Sequence, residues 1–225
     1  MIIVTGASRG LGQAIIERLI ENGEDVVGLA RNPQHVNTKA FECDVSDYAS
    51  VKNASREVKR LGKPIKAVIN SAGVASMNMA ITTNEATVQK LIQTNLVGTI
   101  YCCQLFAPLM LRQRQGAFIN FSTIAVALAL RGESVYAASK AGVESFSRTF
   151  AREMADFNVR VNCIAPGPIQ TDLLRGITDT QIRAVISHQI IQKQFLKADV
   201  CDVVELLLNE KASSLTGHVL NIGGV

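Results

Sequence analysis

No run of lysine and arginine marks this 225-residue chain, although its formal net charge is +4. Its 23 basic residues are interspersed with 19 acidic ones, so the concentrated basic patch that nucleic-acid binding needs is missing and no DNA or RNA partner is expected. No Pro/Gly/Ser-rich linker or charge block divides the sequence, which favours one domain over two. No apolar stretch reaches the roughly 18 residues of a membrane span, and Met1 opens directly on the apolar run Met1-Ile2-Ile3-Val4 with no room for a signal peptide. No membrane role is therefore expected, and the expected location is cytoplasmic. Cys-x-x-Cys spacing is also absent. Cys43, Cys102, Cys103, Cys163 and Cys201 are odd in number, sit in apolar surroundings, and read as buried free thiols of a reducing compartment. Among the three histidines, only His188 falls near a plausible pocket, and His35 and His218 show no ligand partners, so no metal site is expected.

What the chain does have is ample apolar material in a regular alternation. Hydrophobic residues make up 48% and can build a full core, while 19% charged residues leave an ordinary polar surface. Short β-rich runs at 2–5, 25–30, 39–43, 65–70, 117–122, 158–164 and 218–222 are separated by helical patterns. Val51, Ala54, Val58 and Leu61 form one helix stripe, and 85–113 and 137–156 read as long helices. This βαβα order predicts a parallel sheet with helices on both faces and a ligand at the carboxyl ends of the strands.

The segment Thr-Gly-Ala-Ser-Arg-Gly-Leu-Gly, residues 5 to 12, lies between the first strand and a helix marked by Leu11, Ile15, Leu19 and Ile20. Gly6 allows a sharp turn, Gly10 and Gly12 let backbone and helix approach a pyrophosphate, and the helix N-terminus offers N–H donors and a positive dipole. The spacing Gly-x3-Gly-x-Gly differs from the Gly-x-Gly-x-x-Gly of the commoner dinucleotide loop. Far downstream, Tyr136 precedes Lys140 by four residues in Tyr-Ala-Ala-Ser-Lys. Residues so spaced share a helix face, so the Lys140 ammonium is expected near the Tyr136 phenol, favouring its ionised form. That converts a group of pKa about 10 into a usable proton donor and acceptor.

With these two motifs in order, the chain resembles the short-chain dehydrogenase/reductase family from Met1 to about Gly224. Asn70-Ser71-Ala72-Gly73 is similar to the family's Asn-Asn-Ala-Gly, Asn95 in Thr-Asn-Leu-Val-Gly-Thr matches its catalytic Asn, and Pro166-Gly167-Pro168-Ile169-Gln170-Thr171 matches the segment that holds the nicotinamide carboxamide. The closing 215–224 resembles the family's last strand and its Gly-Gly end. The resemblance implies a single Rossmann-type domain, a doubly wound parallel sheet of about seven strands. It also implies hydride transfer between nicotinamide and a carbonyl carbon, with Tyr136 as proton donor. Lys140 would lower the Tyr136 pKa and hold the nicotinamide ribose, and Asn95 would anchor a water linking Lys140 to solvent.

Cofactor choice rests on the end of the second strand, where an acidic residue would bond the ribose 2′-OH of NAD and repel a 2′-phosphate. Ala30 stands there, followed by Arg31, with Arg9 in the glycine loop as a second guanidinium. Two arginines suit a phosphate, so NADP(H) is the expected cofactor. The expected cofactor site comprises Gly6, Ser8, Arg9, Gly10, Leu11, Gly12, Arg31, Asp44, Val45, Asn70, Ala72, Gly73, Tyr136, Lys140, Pro166, Gly167, Ile169 and Thr171.

One departure concerns the family's catalytic Ser. Counting 13 back from Tyr136, or 28 forward from Asn95, lands on Thr123, with Ser122 one place earlier. If both lie on a strand, they point to opposite faces, and Thr123 is expected to face the substrate, completing the catalytic set Asn95, Thr123, Tyr136 and Lys140. The segment 172–200, with Leu173, Leu174, Ile177, Ile182, Val185, Ile186, Ile190 and Ile191, is expected to be a helical substrate lid. In motif style the chain is most similar to 3-oxoacyl-(acyl-carrier-protein) reductases. Arg114 falls where such enzymes place a carrier-docking base, but Asp156-Phe157-Asn158 occupies the second such position. The expected partner is a small-molecule or carrier-linked carbonyl substrate, with a sugar-like or steroid-like compound, or a catalytically weak NADPH-binding role, as alternatives. A homo-oligomer, dimer or tetramer, is implied as well, with the apolar segment 100–111 as candidate interface or core helix.

Overall fold

The computed structural model of the chain describes residues 1–171 and 178–225. In chain order these form β1 (Ile2–Thr5), α1 (Gly10–Glu21), β2 (Val26–Ala30), β3 (Ala40–Glu42), α2 (Tyr48–Arg60), β4 (Ala67–Asn70) and α3 (Glu85–Leu91). A π-helical turn (Ile92–Val97) leads into α4 (Gly98–Leu111), followed by β5 (Gly116–Phe121), α5 (Ala125–Leu128), α6 (Ser134–Met154), β6 (Val159–Ala165), α7 (Asp179–Ile186), α8 (Lys197–Leu208) and β7 (Val219–Asn221). The seven strands make one parallel sheet in the order β3-β2-β1-β4-β5-β6-β7. This is the doubly wound Rossmann-type architecture expected from the sequence, and each strand lies within two residues of its expected limits.

Strand alternation divides the core into two layers. On β1, Ile2 and Val4 face one side of the sheet and Ile3 the other; on β4, Ala67 and Ile69 oppose Val68; on β5, Ala117, Ile119 and Phe121 oppose Phe118. The first side is covered by Ile15, Ile16 and Leu19 of α1 and by Val200, Val204 and Leu207 of α8. The second is covered by Val51 and Val58 of α2, Cys103, Phe106 and Met110 of α4, and Phe150 of α6. Both faces are covered, so strand residues are mostly apolar, with the buried Asn120 and Asn162 satisfied by hydrogen bonds to Asn70 and to the Leu215 carbonyl, and each fully buried Ile or Phe contributes about 1.5–3 kcal/mol. All five cysteines are buried free thiols, as expected. Burial pushes the Cys43 thiol up to about 12, helped by Asp44 and Asp47.

One sequence expectation needs correction. The continuous helical stretch Glu85–Leu111 is, by length and composition, long and apolar enough to cross a membrane. Its apolar residues are consumed differently: Cys102, Cys103, Phe106, Ala107 and Met110 recur at helical spacing and pack into the second core layer. Tyr101, Leu105 and Leu109 are only partly buried beside them. The segment 100–111 is thus a core helix with an additional half-exposed apolar flank.

The topology reverses between β1 and β4, whose registers align Thr5 with Asn70 and Asn70 with Asn120. The carboxyl ends of β1, β4 and β5 therefore finish level. The loops leaving them diverge and open the crevice described next.

Candidate active site

A cleft of about 810 Å³ runs along those carboxyl ends. Its floor is the glycine loop, where Gly6 and Gly10 have φ of 67° and 63°, the left-handed conformation that disfavours side chains. A Cβ on Gly12 would lie 2.4 Å from the Gly6 carbonyl oxygen, and one on Gly6 would lie 2.8 Å from Ala72 Cα. Glycine at both positions thus lets α1 press onto β1 and the loop press onto the β4 exit. Arg9 at the N-cap of α1 makes no side-chain capping bond, and the first turn holds no acidic residue. The first-turn N–H groups of α1 are thus not capped by the Arg9 side chain, which suits a pyrophosphate.

At the far end of the cleft, Ala30, Arg31, Asn32, His35, Asp44, Val45 and Ser46 form the wall. Asp44 accepts from the Ser46 amide at 2.9 Å and the Ser46 hydroxyl at 2.6 Å. Burial works to raise its carboxyl, but the Ser46 hydrogen bonds and the nearby Arg31 charge outweigh it and hold the group below the usual range. Arg31 is therefore oriented over this end of the cleft, with Arg9 on the same lining and no carboxylate at Ala30. The residues fit an adenosine bearing a 2′-phosphate.

At the other end Tyr136 and Lys140 lie on α6, Thr123 just beyond β5, and all three line the cleft with Phe121, Gly73, Pro166, Gly167, Ile169 and Thr171. Lys140 is buried, and its Nζ donates to the Phe121 carbonyl at 2.8 Å. Burial lowers its pKa to about 8, only partly opposed by Cys163. The sequence led us to expect the ammonium to depress the Tyr136 phenol. Instead burial pushes that phenol up, Glu133 pushes it further, and the Thr123 hydroxyl is the group that favours ionisation. The buried Nζ is committed to the strand-end carbonyl.

Ser122 and Thr123 also differ from expectation in setting. The strand ends at Phe121, one residue before Ser122, yet the Ser122 amide still reaches the Ile164 carbonyl at 2.8 Å. The alternation consequently persists for one more residue. Ser122 Oγ donates to Glu144 of α6 at 2.6 Å, while Thr123 Oγ1 accepts from the Ala125 amide at 3.2 Å and acts on the phenol. The two hydroxyls have separate surroundings, although both residues border the cleft.

Asn70 and Asn95 stand outside the lining. Asn70 is 3% exposed and donates to Asn120 Oδ1 at 2.8 Å beneath the crevice, because its side chain points to the α4 and α6 side of the sheet. Asn95, fully buried in the π-helical turn, donates to the Val74 carbonyl at 2.9 Å and Ser139 Oγ at 3.0 Å, and accepts from the Val74 amide at 2.8 Å. It staples the β4 exit loop to α6. Gly73 in that loop lies against both Asn95 and Lys140, since a Cβ there would be 3.3 Å from Asn95 Oδ1 and 3.5 Å from Lys140 Nζ.

Sequence reasoning missed several lining residues: His35 towards the Arg31 end, and Met77, Leu130 and Glu133 towards the Tyr136 end. His188, expected near the pocket, is exposed, with Nδ1 2.7 Å from the Ala184 carbonyl of its own helix turn. Of the expected lid, Leu173, Leu174 and Ile177 lie outside the described residues. Ile182 and Val185 of α7 reach the cleft, Phe195 is buried against the sheet, and Ile190, Ile191 and Leu196 are exposed. Arg114, whose Nη2 donates to the Asp156 carbonyl at 2.6 Å, precedes the amino end of β5, opposite the crevice.

The chain is similar to known proteins. The family model for short chain dehydrogenases matches residues 1–182. The 3-oxoacyl-(acyl-carrier-protein) reductase FabG of Staphylococcus epidermidis is 33% identical over 99% of this chain and 96% of its own, and that of Salmonella typhimurium is 29% identical over 99% and 95%. Among solved structures, ElxO with NADP bound superposes with a TM-score of 0.87 at 26% identity, covering 98% of this chain and 96% of that one. The aldohexose dehydrogenase of Thermoplasma acidophilum superposes with a TM-score of 0.88 at 28% identity, covering 99% and 92%. The dinucleotide cleft, its uncapped helix terminus and the Tyr136/Lys140 pair thus occur in a chain that belongs to the short-chain dehydrogenase family of oxidoreductases.

Proposed function

We propose that the protein is an NADPH-dependent reductase that converts a ketone, a 3-oxoacyl thioester or a similar compound, to an alcohol. The observation that carries this reading is that Tyr136, Lys140 and Thr123 open into the same cleft as the uncapped, glycine-lined start of α1. Bound NADPH would supply the hydride. The phenol of Tyr136, kept protonated by burial and Glu133, is the proton donor to the carbonyl oxygen. The Thr123 hydroxyl orients that oxygen, and Lys140 holds the nicotinamide ribose, giving up its bond to Phe121 O to do so. Asn95 acts by fixing the loop over Lys140 and by anchoring a water toward it. Arg9 and Arg31 take the 2′-phosphate; Asp44 and Val45 border the adenine.

The FabG relatives favour a carrier-linked 3-oxoacyl substrate and hence fatty-acid synthesis in the cytoplasm. The aldohexose dehydrogenase neighbour favours a hydroxylated, sugar-like compound as the second reading. In either case the described part of the expected lid, 178–200, with Ile182 and Val185 on the cleft, closes over the substrate. The half-exposed Tyr101, Leu105 and Leu109 of α4 form the homo-oligomer contact of a dimer or tetramer. Titrating NADPH and NADH into the purified protein, followed by nicotinamide fluorescence, tests the cofactor assignment. Tighter NADPH binding is expected, and equal or tighter NADH binding would contradict it.

A further inference from the structure

One carboxylate in the cleft has no partner among the described residues. Glu133 caps the start of α6 three residues before Tyr136, with its backbone committed: its amide donates to the Leu130 carbonyl at 3.2 Å, and its carbonyl accepts from the Ala137 amide at 2.6 Å. Its side chain makes no capping bond to the helix, and among the described residues it forms no hydrogen bond or ion pair. It nevertheless lines the same cleft as Tyr136, whose lining also includes the apolar Met77, Leu130, Ile182 and Val185. Burial moves its carboxyl above the usual carboxylate range.

Glu133 is half-buried and keeps part of its solvation, and a substrate that fills the cleft over it removes the rest, at a cost unless that substrate brings a donor. Glu133 also acts against the chemistry, since its charge makes the Tyr136 phenol harder to ionise. A donor on the substrate removes both costs. An ammonium is a poor candidate, because Lys140 already places a positive charge at this end of the cleft. A neutral hydroxyl is the fitting donor.

We propose that Glu133 is a specificity-determining residue whose carboxylate accepts a hydrogen bond from a hydroxyl beside the reacting carbonyl, so that hydroxyketones are preferred over plain ketones and acyl thioesters. The inference rests on the ketone-reductase reading above and selects between its two substrate classes. A site built to bond a hydroxyl discriminates strongly against the analogue lacking it, because the carboxylate covered by bound substrate is then left unpaired.

The test compares kcat/KM with NADPH for hydroxyacetone, for butanone, which replaces the hydroxyl with a methyl of similar size, and for an acetoacetyl thioester of N-acetylcysteamine. Wild type is expected to favour hydroxyacetone over butanone by roughly ten- to a hundredfold, the scale of one hydrogen bond to a charged acceptor. Glu133→Gln, which keeps the shape and one acceptor, should reduce the preference to a few-fold, and Glu133→Leu should bring it near parity. Because the ratio is taken within one protein, partial misfolding or a changed Tyr136 pKa cancels. An unchanged ratio in Glu133→Leu, or a wild-type preference for the thioester, would overturn the inference while leaving the reductase reading intact. Wild-type protein that consumes none of the three would overturn both.

Discussion

Replacing Asn95 by Ala should cost the fold before it costs the chemistry. The Asn95 side chain makes three hydrogen bonds, two with the Val74 backbone and one with Ser139 Oγ, from a position with no solvent exposure. Ser139 Oγ in turn donates to the Tyr136 carbonyl at 2.7 Å, so the staple reaches the first turns of α6. At about 1 kcal/mol net per bond, and with Val74 half-buried so that water replaces part of what is lost, the cost is about 2–4 kcal/mol. In a chain of this size that lowers Tm by roughly 5–15 °C. Asn95→Asp is the sharper companion. It keeps the acceptor for the Val74 amide but turns a second oxygen toward the Val74 carbonyl, and it buries a charge. It should therefore be at least as unstable near neutral pH and should regain stability as pH falls, because the protonated carboxyl donates again. Its folded-state pKa lies above the unfolded value, so the stability is present at low pH and lost as pH rises through the folded value. Urea and thermal unfolding of the three proteins, without cofactor, provide the measurement. If Asn95→Ala melts within about 2 °C of wild type while losing all turnover, Asn95 acts at the reaction and not through the loop, and the reasoning fails.

Three further outcomes follow from the same geometry. Thr123→Val should lower turnover by about two to three orders of magnitude, the scale of one lost donor to a reacting oxygen, whereas Thr123→Ser should be tolerated. Ser122→Ala, which strips Glu144 of its partner, should affect stability more than rate, and the reverse ranking in a kinetic and melting comparison would show that the two hydroxyls were assigned backwards. Ala30→Asp combined with Arg31→Ser should move cofactor preference toward NADH by tenfold or more, read as the ratio of dissociation constants, with no shift as the refuting result. In the proposed function the Lys140 ammonium, its pKa lowered to about 8 by burial, is the form that holds the ribose. The kcat/KM for NADPH should accordingly be level below that pH and decline above it, with the inflection absent in Lys140→Met. An inflection that survives in that variant belongs to another group.

The strands were readable from residue type because both sheet faces are buried: Ile2-Ile3-Val4 and Ala67-Val68-Ile69 carry apolar side chains on each side. Gly6 and Gly12 were readable for a related reason, since close backbone approach excludes every larger residue. Other features leave little trace in composition. The π-helical turn around Asn95 changes which carbonyl each amide meets without changing residue preference, so 85–113 read as one uninterrupted helix. Helical spacing placed Tyr136 and Lys140 on one face but could not show that a buried Nζ would take the Phe121 carbonyl. The motif drew attention to Asn70 as a cofactor residue, but it could not show that its side chain joins a buried network with Asn120 and Cys103. His188 and His35 exchanged places relative to the cleft because that depends on tertiary approach. Glu133 was passed over, since a lone acid at a helix start reads as an ordinary cap until the missing capping bond is seen.

The central claim is that Tyr136 delivers the proton in an NADPH-dependent ketone reduction. Its most direct test follows NADPH consumption by wild type and Tyr136→Phe over a panel of ketones, hydroxyketones and acetoacetyl thioesters, with NADPH affinity measured on both proteins. The account predicts turnover by wild type on at least one class, loss of about two orders of magnitude or more in the Phe variant, and nearly unchanged NADPH binding, because only the hydroxyl is removed and the ring remains. A Phe variant that reduces a confirmed substrate at near-normal rate would contradict it.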